Sequence, residues 1–178
     1  MRKAILIVTI LFVAVVSTAC INNFAVQELN NKAAEYMQKG DYESAMNRLE
    51  ASIDLDSTMY ETYYNLGIAA TNAKKYDEAI EALNNGIKIK SDFANFYYSL
   101  GVAQAEYAET LLEDEVYDKE KEQTVKRAVS DEDKLKAEDL KKSAVENLKK
   151  YLELAPDAED KEDAEELIEE CSESEDKE

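Results

Sequence analysis

Two adjoining stretches of equal length, VQELNNKAAEYMQKGDYESAMNRLEASIDLDSTM (Val26–Met59) and YETYYNLGIAATNAKKYDEAIEALNNGIKIKSDF (Tyr60–Phe93), align over all 34 residues without a gap. GDYESAMNRLEASIDLD falls on KKYDEAIEALNNGIKIK with no insertion. A repeat of this period is one supersecondary unit that cannot bury its apolar face alone, so neighbouring units must stack into a solenoid. The unit is helical. With 4 Gly and 1 Pro in 178 residues and Ala, Leu, Glu and Lys abundant, little in the chain interrupts a helix. Gly40, Gly67, Gly86 and Gly101 fall at turns between helices or where two helices must approach closely.

These residues resemble the tetratricopeptide repeat (TPR). That family has an aromatic at position 4, Leu–Gly at 7 and 8, Ala at 20, an aromatic or aliphatic at 24, a small residue at 27 and Pro at 32. The second stretch supplies Tyr63, Leu66, Gly67, Ala79, Leu83 and Gly86 at the first six, with Ser91 in place of Pro. The first stretch has Leu29, Lys32 and Ala33 at positions 4, 7 and 8, then Tyr36, Gly40, Tyr42, Ala45, Leu49 and Ser52. A third unit opens with ANFYYSLGVAQAEYA, which places Tyr97, Leu100 and Gly101 at positions 4, 7 and 8. It closes with KKSAVENLKKYLELAP, where Ala144, Leu148 and Pro156 take positions 20, 24 and 32 and Tyr151 stands at the small-residue position 27.

An insert near Glu109–Asp139 separates the two halves of the third unit. It contains neither Gly nor Pro. Leu112, Val116, Val125, Ala128, Val129 and Leu135 recur at spacings that allow helix, and Ser130 with Asp133 resembles a capping box. The expectation is therefore a hairpin whose two helices are lengthened, with the break near Asp118–Gln123 or Ser130. It serves either as a partner-specific arm or as a solvated extension. After Pro156, Ala164, Leu167, Ile168 and Cys171 form one apolar stripe, as a terminal capping helix requires, with Cys171 a small buried hydrophobe. The expected fold is all-α: a TPR-type helical-hairpin solenoid with an extended third hairpin and a C-terminal capping helix. Its units are 26–59, 60–93 and 94–156, followed by the cap 157–171 and an acidic tail 172–178.

The N-terminus carries an address. Arg2 and Lys3 precede the apolar run Ala4–Val16, and the small residues Ser17, Thr18 and Ala19 follow, the layout of an export signal. The run is short for a spanning helix, which needs roughly 20 apolar residues. Ala19–Cys20 resembles the end of the lipobox of bacterial lipoproteins, although Ser17 stands where that family usually has an aliphatic residue. The resemblance implies a signal peptide 1–19, a lipid on Cys20, a short tether 20–25, and a body lipid-anchored in the bacterial cell envelope, facing the periplasm or the outside. General secretory cleavage, which Ser17 and Ala19 also satisfy, and an uncleaved anchor are the alternatives.

Charge and composition narrow the function further. A net charge of −19 argues against nucleic acid as a partner, since phosphate binding needs a basic face. There is no His, which removes the usual catalytic triads and the commonest metal ligand. The acidic cluster Asp157–Asp163 lacks the Gly and ligand spacing of an EF-hand loop. The chain is accordingly read as no enzyme, with no catalytic residue, no metal site and no cofactor beyond the lipid.

In the TPR family, positions 2, 5, 6, 9, 12 and 13 of each first helix line a concave groove. Here they are Gln27, Asn30, Asn31, Ala34, Met37 and Gln38, then Glu61, Tyr64, Asn65, Ile68, Thr71 and Asn72. The third unit adds Asn95, Tyr98, Ser99, Val102, Ala105 and Glu106. Two of these eighteen are charged, in a chain where 34% of residues are, and amides with interspersed Tyr suit a peptide. Partner contact is assigned to Gln27, Asn30, Asn31, Tyr64, Asn65, Ile68, Asn72, Asn95, Tyr98, Ser99 and Val102. The expected function is a membrane-anchored adaptor binding a protein segment there. A self-associating structural protein and a regulatory subunit of an envelope enzyme are the other readings.

Overall fold

The computed structural model describes residues 23–113, 115–118, 123–126 and 128–172. The expected signal peptide, Cys20 and the tail beyond Ser172 lie outside these residues. Helix α1 occupies residues 23–38. It is followed by α2 (Tyr42–Leu55), α3 (Tyr60–Asn72), α4 (Tyr76–Ile89) and α5 (Ala94–Leu112). Strands β1 (Glu115–Asp118) and β2 (Gln123–Lys126) precede α6 (Asp131–Leu154) and α7 (Lys161–Ser172). Consecutive helices pack as antiparallel pairs, and α3 also adjoins α5, so the hairpins stack in a row.

The helix ends follow local chemistry. Asp41 caps α2 by accepting from the Ser44 amide at 3.1 Å, and Ser130 caps α6 by accepting from the Asp133 amide at 3.0 Å. Residues 23–25, expected as tether, are already helical. An Asn23–Gln27 side-chain hydrogen bond of 3.2 Å spans that first turn, and Val26 within it is 1% exposed.

The turns of the first two hairpins are closed by Gly40 (φ 73°) and Lys74 (φ 58°), which occupy the same place in their repeats. The left-handed conformation costs an ordinary L-residue about 1–2 kcal/mol and costs Gly little. A Cβ at Gly40 would meet nothing within 4 Å, so only the backbone term operates there. Gly40→Ala is thus expected to lower stability by about 1 kcal/mol. Lys74→Gly should raise it by up to about 1 kcal/mol, part of the gain being lost to the looser unfolded chain. Paired urea melts read both signs; equal midpoints for all three proteins would refute the argument.

Small residues set the spacing between helices. Gly67 faces Leu83, Gly86 faces the Phe96 ring, and Gly101 faces Leu148, whose Cγ would lie 2.6 Å from an added Cβ. The main core joins Ala33, Ala45, Met46 and Leu49 to Ala69, Ala70, Ala79, Leu83, Phe96, Leu100 and Ala103. Tyr151, at the third unit's small-residue position, is 2% exposed. Its ring lies 5.1 Å from that of Tyr98, and its hydroxyl is hydrogen-bonded to Asp160. The helix next along supplies Ala164, 0% exposed, to the same cluster, so a large residue on one side is matched by a small one on the other. Cys171 is buried beside Ala105 and Ala144, and that burial pushes its thiol pKa up.

The insert departs from expectation. α5 and α6 are lengthened to 19 and 24 residues, against 13 and 14 in α3 and α4, but between them runs a β-hairpin rather than more helix. β1 pairs antiparallel with β2, Val116 opposite Val125 and Tyr117 opposite Thr124. EVYD and QTVK each place two β-branched or aromatic residues side by side between polar ones, and residues of those types favour strand over helix. Leu135, expected on a helical stripe, is 65% exposed. At the base of the arm the Tyr107 hydroxyl donates to Asp77 at 3.0 Å and accepts from Lys136 at 2.6 Å, tying α5 and α6 to α4.

Candidate functional site

The first helices of neighbouring repeats, α3 and α5, leave a depression of about 140 Å³ between them. α3 contributes Ile68, Thr71 and Asn72, and α5 contributes Tyr98, Ser99, Val102 and Glu106. All seven stand at expected groove positions. Helical spacing explains the grouping: Tyr98, Val102 and Glu106 follow one another at four-residue steps, one row along α5.

The walls differ in chemistry. Thr71 is buried and its hydroxyl donates to the Gly67 carbonyl at 2.9 Å, while the Asn72 amide donates to the Ile68 carbonyl at 2.8 Å. Tyr98 is half-buried, and its hydroxyl pKa is raised by burial and then by the carboxylates of Asp160 and Asp163. Glu106 is half-buried as well. Burial raises its carboxyl pKa, a hydrogen bond from the Tyr76 hydroxyl opposes the shift, and through space the Glu109 carboxylate adds to it while Lys74 opposes it.

The remaining expected residues fall into two groups. Gln27, Asn31 and Asn95 are exposed and Asn65 is half-buried, all outside the lining of the depression. Asn30 is held in packing instead. Its amide donates to Ser52 Oγ at 2.7 Å and to the Val26 carbonyl at 2.9 Å, and its oxygen accepts from Thr62 at 3.2 Å. Ser52 and Thr62 are both 0% exposed, so Asn30 supplies the polar partner that each needs. Tyr64 is half committed: its ring packs edge-on to Phe93 and Phe96, with centroids 5.4 and 5.8 Å away. The sequence shows a polar pair that needs a partner but not that Asn30 reaches it. Ser52 and Thr62 stand where the next interface has Gly86 and Phe96, a polar pair in an otherwise apolar seam.

A larger depression of about 250 Å³ lies where α2, α3 and α4 meet, lined by Tyr63, Leu66 and Ala82 with Glu50, Glu78 and Glu81 at its polar side. Among the described residues no group of three or more His, Cys, Asp and Glu side chains is placed to hold a metal ion. Among them, too, no helix is long and apolar enough to cross a membrane.

Residues 33–70 and 71–106 match the family model described as TPR repeat. The first TPR of Spaghetti (RPAP3), solved with the HSP90 peptide SRMEEVD, is similar at 17% identity. That match covers 84% of this chain and 91% of that one, with a TM-score of 0.61. The TPR2B domain of yeast Sti1, solved as a pHsp70 complex, matches at 17% identity over 85% of this chain and 98% of its own, with a TM-score of 0.63. The Yersinia enterocolitica type III secretion translocator chaperone SycD matches at 18% identity over 84% and 85%, with a TM-score of 0.59. At these identities the likeness is one of fold: a TPR-type helical-hairpin solenoid. No curated protein matches the chain in sequence.

Proposed function

We propose that this protein is a lipid-anchored adaptor of a bacterial cell envelope, which binds an extended segment of a partner protein on the face built by α1, α3 and α5. The depression between α3 and α5 carries the reading. Seven side chains from the expected groove positions line it, only Glu106 among them is charged, and it offers both apolar walls and hydrogen-bonding groups. The first TPR of RPAP3 was solved bound to an HSP90 peptide and the Sti1 TPR2B domain as a pHsp70 complex, which supports peptide binding by this fold. Mechanism is then recognition rather than catalysis. The export-type leader and the Ala19–Cys20 junction support anchoring, with the acyl chains on Cys20 fixing location and the groove fixing partner choice.

The groove is tested by site-directed photocrosslinking in envelopes, with the crosslinker at Asn72 in the depression or at Asn84, exposed on α4. The expected result is one partner adduct from Asn72 that is absent from Asn84. Identical adducts from both positions would sink the groove reading.

One observation favours a second reading, self-association through the arm. Among the described residues β1 and β2 pair only with each other, and an unpaired strand edge is a template for strand addition. Light scattering of the full chain against one lacking residues 114–127 separates the two: an adaptor that is monomeric in both forms excludes it.

A further inference from the structure

Five polar side chains are buried among the described residues: Ser52, Thr62, Thr71, Ser99 and Gln104. Four have partners. Ser52 and Thr62 share Asn30, Thr71 bonds the Gly67 carbonyl, and Gln104 accepts from Asn147 at 2.9 Å. Ser99 is 5% exposed, lines the depression, and among the described residues its hydroxyl makes no hydrogen bond. A buried hydroxyl without a partner is costly and needs a reason. Seven residues further along the same helix stands Glu106, half-buried and, among the described residues, in no ion pair.

The two groups sit at opposite ends of one furrow, about 10 Å apart along α5 at 1.5 Å per residue. Ile68, Val102 and the Tyr98 ring lie in the wall of the same furrow. Its volume equals that of about four or five waters at ~30 Å³ each, enough for one long side chain. None of the eighteen groove positions is Lys or Arg, and the chain as a whole carries a charge of −19. A carboxylate in a segment laid here would add a second negative charge next to Glu106. A neutral side chain would desolvate Glu106 further, with the Tyr76 hydrogen bond but no ion pair to offset the cost. A cation on an aliphatic stem satisfies both the apolar wall and the carboxylate.

We propose that the depression between α3 and α5 is the subsite for one Lys or Arg side chain of the bound segment. The stem lies on Ile68, Val102 and Tyr98, the cationic head meets Glu106, and a backbone group of the segment bonds the Ser99 hydroxyl. This rests on the groove reading above and goes further, because it selects a basic segment and rejects acidic ones such as the SRMEEVD peptide held by the RPAP3 domain.

The test uses the full chain in detergent, immobilised and offered a randomised twelve-residue peptide library. Salt is kept at 0.3 M so that the exposed acidic surface is screened. Lys or Arg should be enriched about tenfold at a single position of the retained peptides. Glu106→Gln, which keeps the shape, should retain peptides but lose that enrichment. Ser99→Ala should weaken retention several-fold without lowering the melting temperature, since the hydroxyl has no partner to lose. Retained peptides without a single enriched basic position, or enrichment that survives Glu106→Gln, would overturn the subsite while leaving the groove. Retention unchanged by Val102→Arg, which fills the depression, would overturn the groove reading itself.

Discussion

Gly86→Ala is expected to destabilise the protein by about 2 kcal/mol and to lower its melting temperature by about 4–8 °C, the largest effect expected of an added methyl group at any of the four glycines. Gly86 lies in the last turns of α4 directly beneath Phe96, and an ideal Cβ there would overlap the outer edge of the ring. The ring has no room to retreat. Phe96 is 0% exposed and is held by Phe93, Tyr64 and Tyr60, with centroids 5.3, 5.8 and 6.3 Å away. Overpacking of this kind costs about 1–3 kcal/mol, here at the upper end, and the better helix propensity of Ala returns at most about 1 kcal/mol.

Phe96→Leu removes the ring carbons that the new methyl meets. The double variant should therefore be less destabilised than the two single variants added together, by more than about 0.5 kcal/mol. Gly40→Ala is the control, because its Cβ enters open space and only the backbone term remains. A Gly86→Ala melting temperature at or above the wild-type value would show that the seam is loose enough to absorb a methyl group. The close approach of α4 and α5 would then not explain the glycine.

The same size exchange marks where sequence reasoning succeeds and where it stops. A small residue at one repeat position and a large one on the next helix are both local facts, and their period makes the hairpins legible. The start of α6 was legible for the same reason, since Ser130 and Asp133 are three residues apart and need nothing else. Tyr151 was not, because its fit depends on Ala164 of α7 leaving the space that Tyr151 fills. Asn30 reads as a groove amide until Ser52 and Thr62 are brought against it from two other helices. The β-hairpin is the clearest case. Its apolar residues are spaced for helix over the whole insert, while the β-branched and aromatic residues that favour strand are concentrated in two four-residue stretches, EVYD and QTVK, which pair with each other. The depression lies between these cases: repeat position brings seven residues together there, while the unpartnered Ser99 hydroxyl stands out only against the other buried polar groups among the described residues, all of which have partners.

Cys20→Ala is expected to move the protein entirely from the membrane fraction to the soluble fraction and to abolish the acyl mass at its mature N-terminus. The reading rests on the leader: Arg2 and Lys3, the run Ala4–Val16, and small residues up to Ala19, with Cys20 directly after them. Each buried methylene of an acyl chain contributes about 0.8 kcal/mol to membrane binding, and two chains together anchor stably where one does not. Among the described residues no helix is apolar enough to span a bilayer, and a surface this acidic, at a net charge of −19, is repelled by anionic lipid. The mass of the wild-type N-terminus separates the three alternatives in one measurement. Acylated Cys20 means lipoprotein processing, unmodified Cys20 means general secretory cleavage, and an intact Met1 means an uncleaved anchor. Only the first agrees with a Cys20→Ala variant that becomes soluble. A variant that stays with the membrane would leave the groove where it is and remove the lipid from the proposal. With helix already formed at residue 23, acylated Cys20 would hold α1, and with it the binding face, within a few residues of the bilayer surface. The groove would then be most accessible to segments of proteins that are themselves at that membrane.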